Sequence, residues 1–542
     1  MARSRMHPTA GQDSPFDVII IGAGFAGLYG VHQAARAGLN VLGLEAGADV
    51  GGTWFWNRYP GARCDVESVD YSYSFDEDLQ QSWTWTERFA AQPEILSYLN
   101  HVADRFALKQ RYRFHATVTQ ARFDDGTALW TLRTEQGEEF TSRFVVFATG
   151  CLSAPIKPNI PGVETFAGEE LFTARWPEEG ADLTGKRVGV IGTGSSGIQV
   201  SPIIAREALE LTVFQRSPNF SVPMPNRPWT VEEQEQIRAT YPQRREKSYY
   251  APAATPHPSL QTKALELSAQ EREAAMEDRW NGGGVLFNKV FPDQNSDLRA
   301  NELVRDFAVA KIRAKVENQA VADDLIPTDH PIGTKRICTD SGYYEMFNRP
   351  NVSLVNLRRE PIEEVTPTGV RTAEKFIELD TLVYATGFDA MTGALLRIDI
   401  QGSQATRLRD TWADGPLTYL GFGIPGFPNM FSINSVGTPS VMANMVLHSE
   451  QQLDWVLDLV EHCRAQGISR VEARDEAAVK WTDHLLEVAE GTLFVKANSW
   501  YMGANVEGKK RVFMPYIGGF GNYRRFCDEE RDNGYPNFEL TK

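Results

Sequence analysis

The chain carries the same strand-turn-helix-strand unit twice, and that repetition restricts its fold more than any other feature. In FDVIIIGAGFAGLYGVHQAARAGLNVLGLEAG an apolar run, Val18 to Ile21, leads into Gly22, Gly24 and Gly27 in G-x-G-x-x-G spacing. A helix-compatible stretch then closes at Gly38, and a second apolar strand ends at Glu45. An uninterrupted apolar strand is what a parallel sheet covered on both faces requires. The glycines permit a tight turn and let the backbone approach a pyrophosphate at a helix N-terminus. Glu45, 23 residues after Gly22, stands where a carboxylate accepts hydrogen bonds from ribose hydroxyls. The glycine spacing alone is a weak signal; strand, turn, helix, strand and acid in that order are a strong one.

The second copy is KRVGVIGTGSSGIQVSPIIAREALELTVFQRS. Its candidate cofactor contacts are Gly192, Thr193, Gly194, Ser195, Ser196 and Gly197 in the turn, Gln199 behind it, and Arg216 and Ser217 at the end of the second strand. No acid stands there. A carboxylate would repel a 2′-phosphate, whereas a guanidinium pairs with it through two hydrogen bonds, so this site is expected to prefer NADPH over NADH. Taken alone, Arg216 also fits a solvated charge at a strand end. The opposite chemistry of the two strand ends implies FAD at the first site and NADPH at the second. Two further segments, Phe144 to Gly150 (FVVFATG) and Leu382 to Ala390 (LVYATGFDA), are apolar strands ending in small-residue turns, suited to carrying the chain between two nucleotide-binding units.

These units predict an α/β fold with two Rossmann-like dinucleotide-binding domains and a helical insertion. A chain of 542 residues exceeds a single core. The expected division is a disordered tail at 1–15, an FAD-binding domain at 16–150 and 387–542, and an NADPH-binding domain at 151–220 and 330–386. A helical insertion at 221–329 carries stretches such as SAQEREAAMEDRW, and VLHSEQQLDWVLDLVEHCRAQG reads as an amphipathic helix covering the FAD domain. The net charge of −16 argues against a nucleic-acid partner, which needs a concentrated basic surface. No apolar run of about 18 residues exists to span a membrane. The basic N-terminus lacks the apolar core of a signal peptide. Five cysteines, an odd number without a C-x-x-C, argue against a disulfide framework, and nine histidines without clustered spacing give no metal site. A reducing cytoplasm is the expected compartment. No feature of the sequence specifies an oligomeric state.

Between the two glycine turns lies FAGEELFTARWP, Phe166 to Pro177, which by pattern is neither a helical stripe nor a strand. It resembles F-x-G-x-x-x-H-x-x-x-W-P, the fingerprint of the flavin-dependent Baeyer–Villiger monooxygenases, with Phe166, Gly168, Trp176 and Pro177 in place and Phe172 where the family has histidine. A second family signature, G-G-x-W-x-x-x-x-Y-P-G-x-x-x-D, is met in full by Gly51 to Asp65, GGTWFWNRYPGARCD. The resemblance continues through GTKR (Gly333 to Arg336), SGYYEMFNR, ATGFDA and NSWYMGANVEGKKR, covering residues 16 to 540. RYPGARCDVES and NMVLHSE point toward the phenylacetone and steroid monooxygenase group.

The resemblance implies NADPH- and O₂-dependent insertion of oxygen beside a ketone carbonyl, through a flavin C4a-peroxide, to give an ester or lactone. Arg336 matches the catalytic arginine and Asp65 the acid that positions it; read from the residues alone, Arg336 is one arginine among many in a polar loop, and Asp65 a turn aspartate. An arginine suits the role because it does not give up its proton. By resemblance, Thr53, Trp54, Trp56 and Tyr71 lie on the flavin side, Val118 contacts the FAD adenine, and Lys335 contacts the 2′-phosphate with Arg216. Trp500 matches a tryptophan on a mobile loop that folds over bound NADP, and Cys151, Ser440 and Met445 border the substrate pocket. Trp54, Trp56 and Trp500 equally fit packed core. The fingerprint segment is implied to link the nucleotide domains and support their motion. Phe172 can neither donate, accept nor carry charge, which supports one alternative, an uncoupled NADPH oxidase; the other, an N- or S-oxygenating flavin monooxygenase, would not require Arg336.

Overall fold

The computed structural model describes residues 14–257 and 260–542, so the expected tail lies, apart from its last two residues, outside the described residues. In the first sheet the strand Phe16–Ile21 pairs in parallel with Val41–Leu44 on one side and with Glu139–Phe147 on the other. Tyr112–Arg113 extends the first side. The second side continues through antiparallel Leu129–Thr134 and Val118–Asp124 to Asp399–Gln401, while Met430–Ser432 pairs with the far end of Glu139–Phe147. The chain thus leaves this sheet after Phe147 and returns to it at Asp399.

The second sheet is wholly parallel, in the order Val352–Asn356, Glu210–Gln215, Arg187–Ile191, Thr381–Tyr384, Glu169–Phe172. Its last strand corrects the sequence reading: Glu169–Phe172, inside the fingerprint segment, is an edge strand rather than an irregular linker. Four residues are too few for alternation to show, and this strand forms only because Thr381–Tyr384 offers it a free edge.

Both glycine turns are built alike. A β-carbon at Gly22 would lie 2.5 Å from the Ala148 carbonyl oxygen, and one at Gly192 would lie 2.4 Å from that of Ala385; both glycines have φ of +113°. The Ala148 amide donates to Ile21 O and the Ala385 amide to Ile191 O, each at 2.9 Å. Each A-T-G segment therefore sits against the first glycine of a nucleotide turn, and each turn feeds a helix, Phe25–Arg36 or Ser195–Glu207. The two chain crossings pair with one another: Met391 N donates to Cys151 O (2.9 Å), Asp389 N to Ala154 O (2.8 Å) and Ile156 N to Gly387 O (3.0 Å).

The region expected to be helical contains the helices Val231–Tyr250, Ala269–Gly282, Leu298–Lys315 and Gln319–Leu325. It is shared between two cores: Tyr241, on the first of these helices, packs into the core of the first sheet, while Met276, Trp280, Val304 and Ile312 join the core of the second. The helix Met445–Gln466 ends at Gly467 in the left-handed region. Its buried positions include His448, Glu450 and Gln452, while Asp454, Asp458, Glu461 and Ala465 form an exposed stripe along one face, as an amphipathic helix covering the first unit requires.

Candidate active site

The signature loop Gly51–Asp65 is held between the two nucleotide units. After the helical turn Thr53–Trp56, Tyr59 OH donates to Gln199 Oε1 (2.8 Å), and Gln199 Nε2 donates to Arg63 O (3.1 Å). Gly61 (φ +84°) passes so close to the second helix that a β-carbon would lie 2.7 Å from the Gln199 carbonyl oxygen. Gln199 thus staples the loop to the helix that follows Gly192–Gly197, and the loop delivers Asp65 to the junction.

There Asp65 meets Arg336, 271 residues away in sequence. Arg336 Nη2 and Nε donate to Asp65 Oδ2 at 2.6 and 3.1 Å, and Nη1 donates to Val441 O at 2.9 Å. The Asp65 carboxylate raises the guanidinium's pKa, outweighing the opposing effect of burial. Tyr501, buried beside it and not foreseen from sequence, is pushed up to about 12 by burial, with the Arg336 charge acting in the other direction. The result is a permanent cation with fixed orientation, and Val441, whose carbonyl it binds, packs with Met445 and Trp500 against the cluster formed by Cys151, Ala390, Met391, Val436 and Met514. Ser440, fully buried, donates to Asn434 O at 3.0 Å and lies 3.7 Å from Met391 Sδ. The three residues expected at the substrate pocket and Trp500 are therefore brought to one place.

At the first nucleotide turn, Glu45 accepts hydrogen bonds from Ala23 N and Gly47 N, both at 2.7 Å. Burial raises its pKa and these amides oppose the shift. The carboxylate is thus oriented by the glycine turn and by its own loop together, contacts not foreseen from sequence. Gly24 lies against Gly52, joining the turn to the signature loop. Trp54 Nε1 donates to Tyr71 OH at 3.3 Å, and Val118 opens a strand beside the Glu45 segment, where Ala116 N donates to Glu45 O. Thr53 is exposed. Trp56 lies under the Arg175 guanidinium, 4.0 Å from its ring centroid.

At the second turn, Thr193 Oγ1 donates to Ser217 O (2.9 Å), Ser195 Oγ lies 3.5 Å from Cys338 Sγ, and nothing lies within 4 Å of a β-carbon at Gly194. Ser196 hydrogen-bonds Tyr59. Arg216 is exposed at the strand end and lies near Lys335, whose pKa is lowered, first by burial. A third cation, Arg358, joins them: its Nη2 donates to Ser217 Oγ (2.9 Å) and to Asp329 Oδ2 (2.6 Å), and Lys335 Nζ lies 3.6 Å from the same carboxylate. Asp329 is held far below the usual carboxylate range, first by its hydrogen bond with His330. Arg358 was missed because it follows the strand Val352–Asn356, and only sheet order places that strand beside Glu210–Gln215.

The fingerprint segment bridges the two units. Phe172 stacks on Tyr384, with ring centroids 4.7 Å apart and planes 25° off parallel. Lys157 Nζ stands 5.9 Å from both rings. Trp176 is buried in the second core with Tyr59 and Ala62, and Arg175 covers Trp56 of the signature loop. Among the described residues, possible metal-ligand atoms gather at Glu67, Asp70 and His257. Arg244 and Arg88 already hold the two carboxylates, so the group is a neutralised ion-pair network.

The groups present fit the two cofactors. The first turn pairs a glycine cradle with an oriented carboxylate for a ribose, and the second pairs open space at Gly194 with three cations for a 2′-phosphate. No helix among the described residues is long and apolar enough to cross a membrane.

Comparison with known proteins agrees with this geometry. Residues 16–239 match the family model of pyridine nucleotide-disulphide oxidoreductases. A Baeyer-Villiger monooxygenase of Pseudooceanicola batsensis is 41% identical over 97% of this chain and 96% of its own. A solved structure of oxidized steroid monooxygenase bound to NADP is 50% identical with a TM-score of 0.94, over 97% of this chain and all of its own. An OTEMO complex with FAD and NADP is 41% identical with a TM-score of 0.94, over 98% of this chain and all of its own. With likeness of this extent along the whole chain, and with the Asp65–Arg336 pair set between two dinucleotide turns, the chain belongs to the flavin-dependent Baeyer–Villiger monooxygenases.

Proposed function

We propose that the protein converts a ketone, NADPH, a proton and O₂ into an ester or lactone, NADP⁺ and water. The observation that carries this reading is the half-buried Arg336–Asp65 pair, bonded through Val441 O beside an apolar cluster at the junction of the two nucleotide units. Reduced FAD, with NADPH as electron source, supplies the activated oxygen. The chain's own residues supply the rest. Arg336 stabilises the negative charge that builds on the substrate's carbonyl oxygen, and because it is fixed before the reaction it need not reorganise; preorganised donors of this kind are worth about 2.7–4 kcal/mol of barrier. Asp65 holds the guanidinium plane and keeps the cation charged. Cys151, Ser440 and Met445 exclude water from the ketone, and Trp500 would cover bound NADP.

At the FAD site Glu45 takes the ribose hydroxyls, with Gly22, Gly24 and Gly27 along the pyrophosphate. Thr53, Trp54, Trp56, Tyr71 and Val118 complete the contacts. At the NADPH site Arg216, Lys335 and Arg358 take the 2′-phosphate, beside Thr193, Ser195, Ser196, Gln199 and Ser217. We assign residues 16–150 and 387–542 to the FAD-binding domain and 151–386, with the 221–329 insertion, to the NADPH-binding side; sheet membership supports this. Aromatic, bulky cyclic or steroid-like ketones are the substrate class, a reading supported by the likeness to steroid monooxygenase. A cytoplasmic setting is supported by five free, buried cysteines. The test is the yield of ester and of hydrogen peroxide per NADPH consumed in the presence of a ketone: ester near unity supports the reading, and peroxide near unity with no ester overturns it.

A further inference from the structure

The segment that carries Trp500 is fastened to the chain crossing as well as to the core of the first sheet, into which Tyr501 and Phe513 pack. Trp500–Met502 form a single 3-10 turn, and the chain runs on through Asn505 and Lys509 before Met514 O accepts from Gly437 N (2.8 Å) at the pocket wall. Between these points the loop reaches the second crossing, residues 386–391. Asn505 Nδ2 donates to Phe388 O at 2.7 Å; Lys509 Nζ donates to Asp389 Oδ1 at 2.6 Å and to Ala390 O at 3.2 Å. Asp389 is itself in the middle of the paired crossings, its amide bonded to Ala154 O. The neighbouring cations behave differently. Lys510 sits beside a fully exposed Asp414 and Arg511 on Asn498 within the same loop, whereas the Lys509 and Asp389 side chains are only 17% and 26% exposed.

A charge-assisted hydrogen bond shielded in this way outweighs an exposed ion pair, which contributes little. The loop cannot leave its place over the pocket without breaking that bond and freeing two carbonyls. The two sheets cannot rotate about the paired crossings without carrying Asp389. We propose that Lys509 and Asp389 form a latch that sets the Trp500 loop by the relative position of the two nucleotide units, which makes both of them positioning residues for NADP retention. The proposal rests on the reading of Trp500 as the cover over bound NADP.

The test measures NADP⁺ affinity and chymotryptic cleavage at the Trp500–Tyr501 bond on the FAD-loaded enzyme, with Tm followed in parallel. Lys509→Met and Asp389→Asn are expected to weaken NADP⁺ binding about tenfold and to restore cleavage in the NADP⁺ complex, while Lys509→Arg stays near the parent. A purely structural ion pair would lower Tm and leave both readouts alone. Parent-like affinity and protection in both Lys509→Met and Asp389→Asn overturn the latch. Should Lys509→Met fail to fold, Asp389→Asn and Asn505→Ala carry the same expectation. Trp500→Ala separates the two readings: if it leaves NADP⁺ binding unchanged, the loop reading fails, and if it weakens binding while the latch variants do not, the latch alone fails.

Discussion

Replacing Arg336 by lysine keeps the positive charge and removes the fork. The guanidinium makes three donor contacts, two to Asp65 Oδ2 at 2.6 and 3.1 Å and one to Val441 O at 2.9 Å. An ammonium on a shorter stem satisfies Asp65 but cannot hold that anchor, reach Val441 O and face the pocket together. The lost contact is a preorganised donor at the reacting oxygen, so ester formation by Arg336→Lys should fall about 100- to 1,000-fold, equivalent to about 2.7–4 kcal/mol. Asp65→Asn is the milder perturbation: the amide oxygen still accepts, but the ion pair becomes a charged–neutral bond, and a loss of about tenfold is expected. The assay follows ester by chromatography and, separately, anaerobic bleaching of the flavin by NADPH. Bleaching involves no carbonyl chemistry and should continue in both variants while ester yield drops and hydrogen peroxide rises. Ester formation by Arg336→Lys at the parent rate would refute the reasoning.

Four other outcomes follow from the geometry. Arg358→Ala should raise the Kd for NADPH about tenfold and leave that for NADH unchanged, because only the 2′-phosphate meets the third cation; titration with both coenzymes decides it. Gly61→Ala places a β-carbon against the Gln199 carbonyl at a φ of +84° and should cost upward of about 1–3 kcal/mol in urea unfolding while weakening NADP⁺ binding. Phe172→Ala removes a ring stack on Tyr384 worth about 1 kcal/mol, whereas Phe172→His should keep the parent's ester-to-peroxide ratio; a large gain in coupling with histidine would favour the oxidase alternative for the natural chain. Burial raises Glu450 from 4.5 to about 7, so the folded protein keeps a proton that the unfolded chain releases. Its contribution to stability is present below pH 4.5 and is lost as pH rises through about 7. Glu450→Gln should flatten that slope, on the order of 3 kcal/mol across the window, in unfolding titrations at pH 5 and 8.

The sequence by itself determined the two dinucleotide units, because each is a local code: an apolar strand, a turn only glycine can make, a helix and a strand-end charge, all within about 30 residues. Short-range backbone sterics fix such a unit wherever it is placed. It also named Asp65 and Arg336 through resemblance, but nothing local says that residues 271 apart meet. Their meeting is decided by Gln199, which receives Tyr59 and holds Arg63, and by the two A-T-G crossings that pair side by side. The edge strand Glu169–Phe172 was invisible for the same reason: a four-residue strand owes its existence to a neighbour's unpaired edge, and Tyr384 supplies both that edge and the ring on which Phe172 lies. Arg358, Asp329 and the Lys509–Asp389 pair likewise belong to no motif. Strand order and crossing geometry alone place those charges together, and side chains on loops 29 to 120 residues apart find one another only after the backbone has paid its ordering entropy in the sheets.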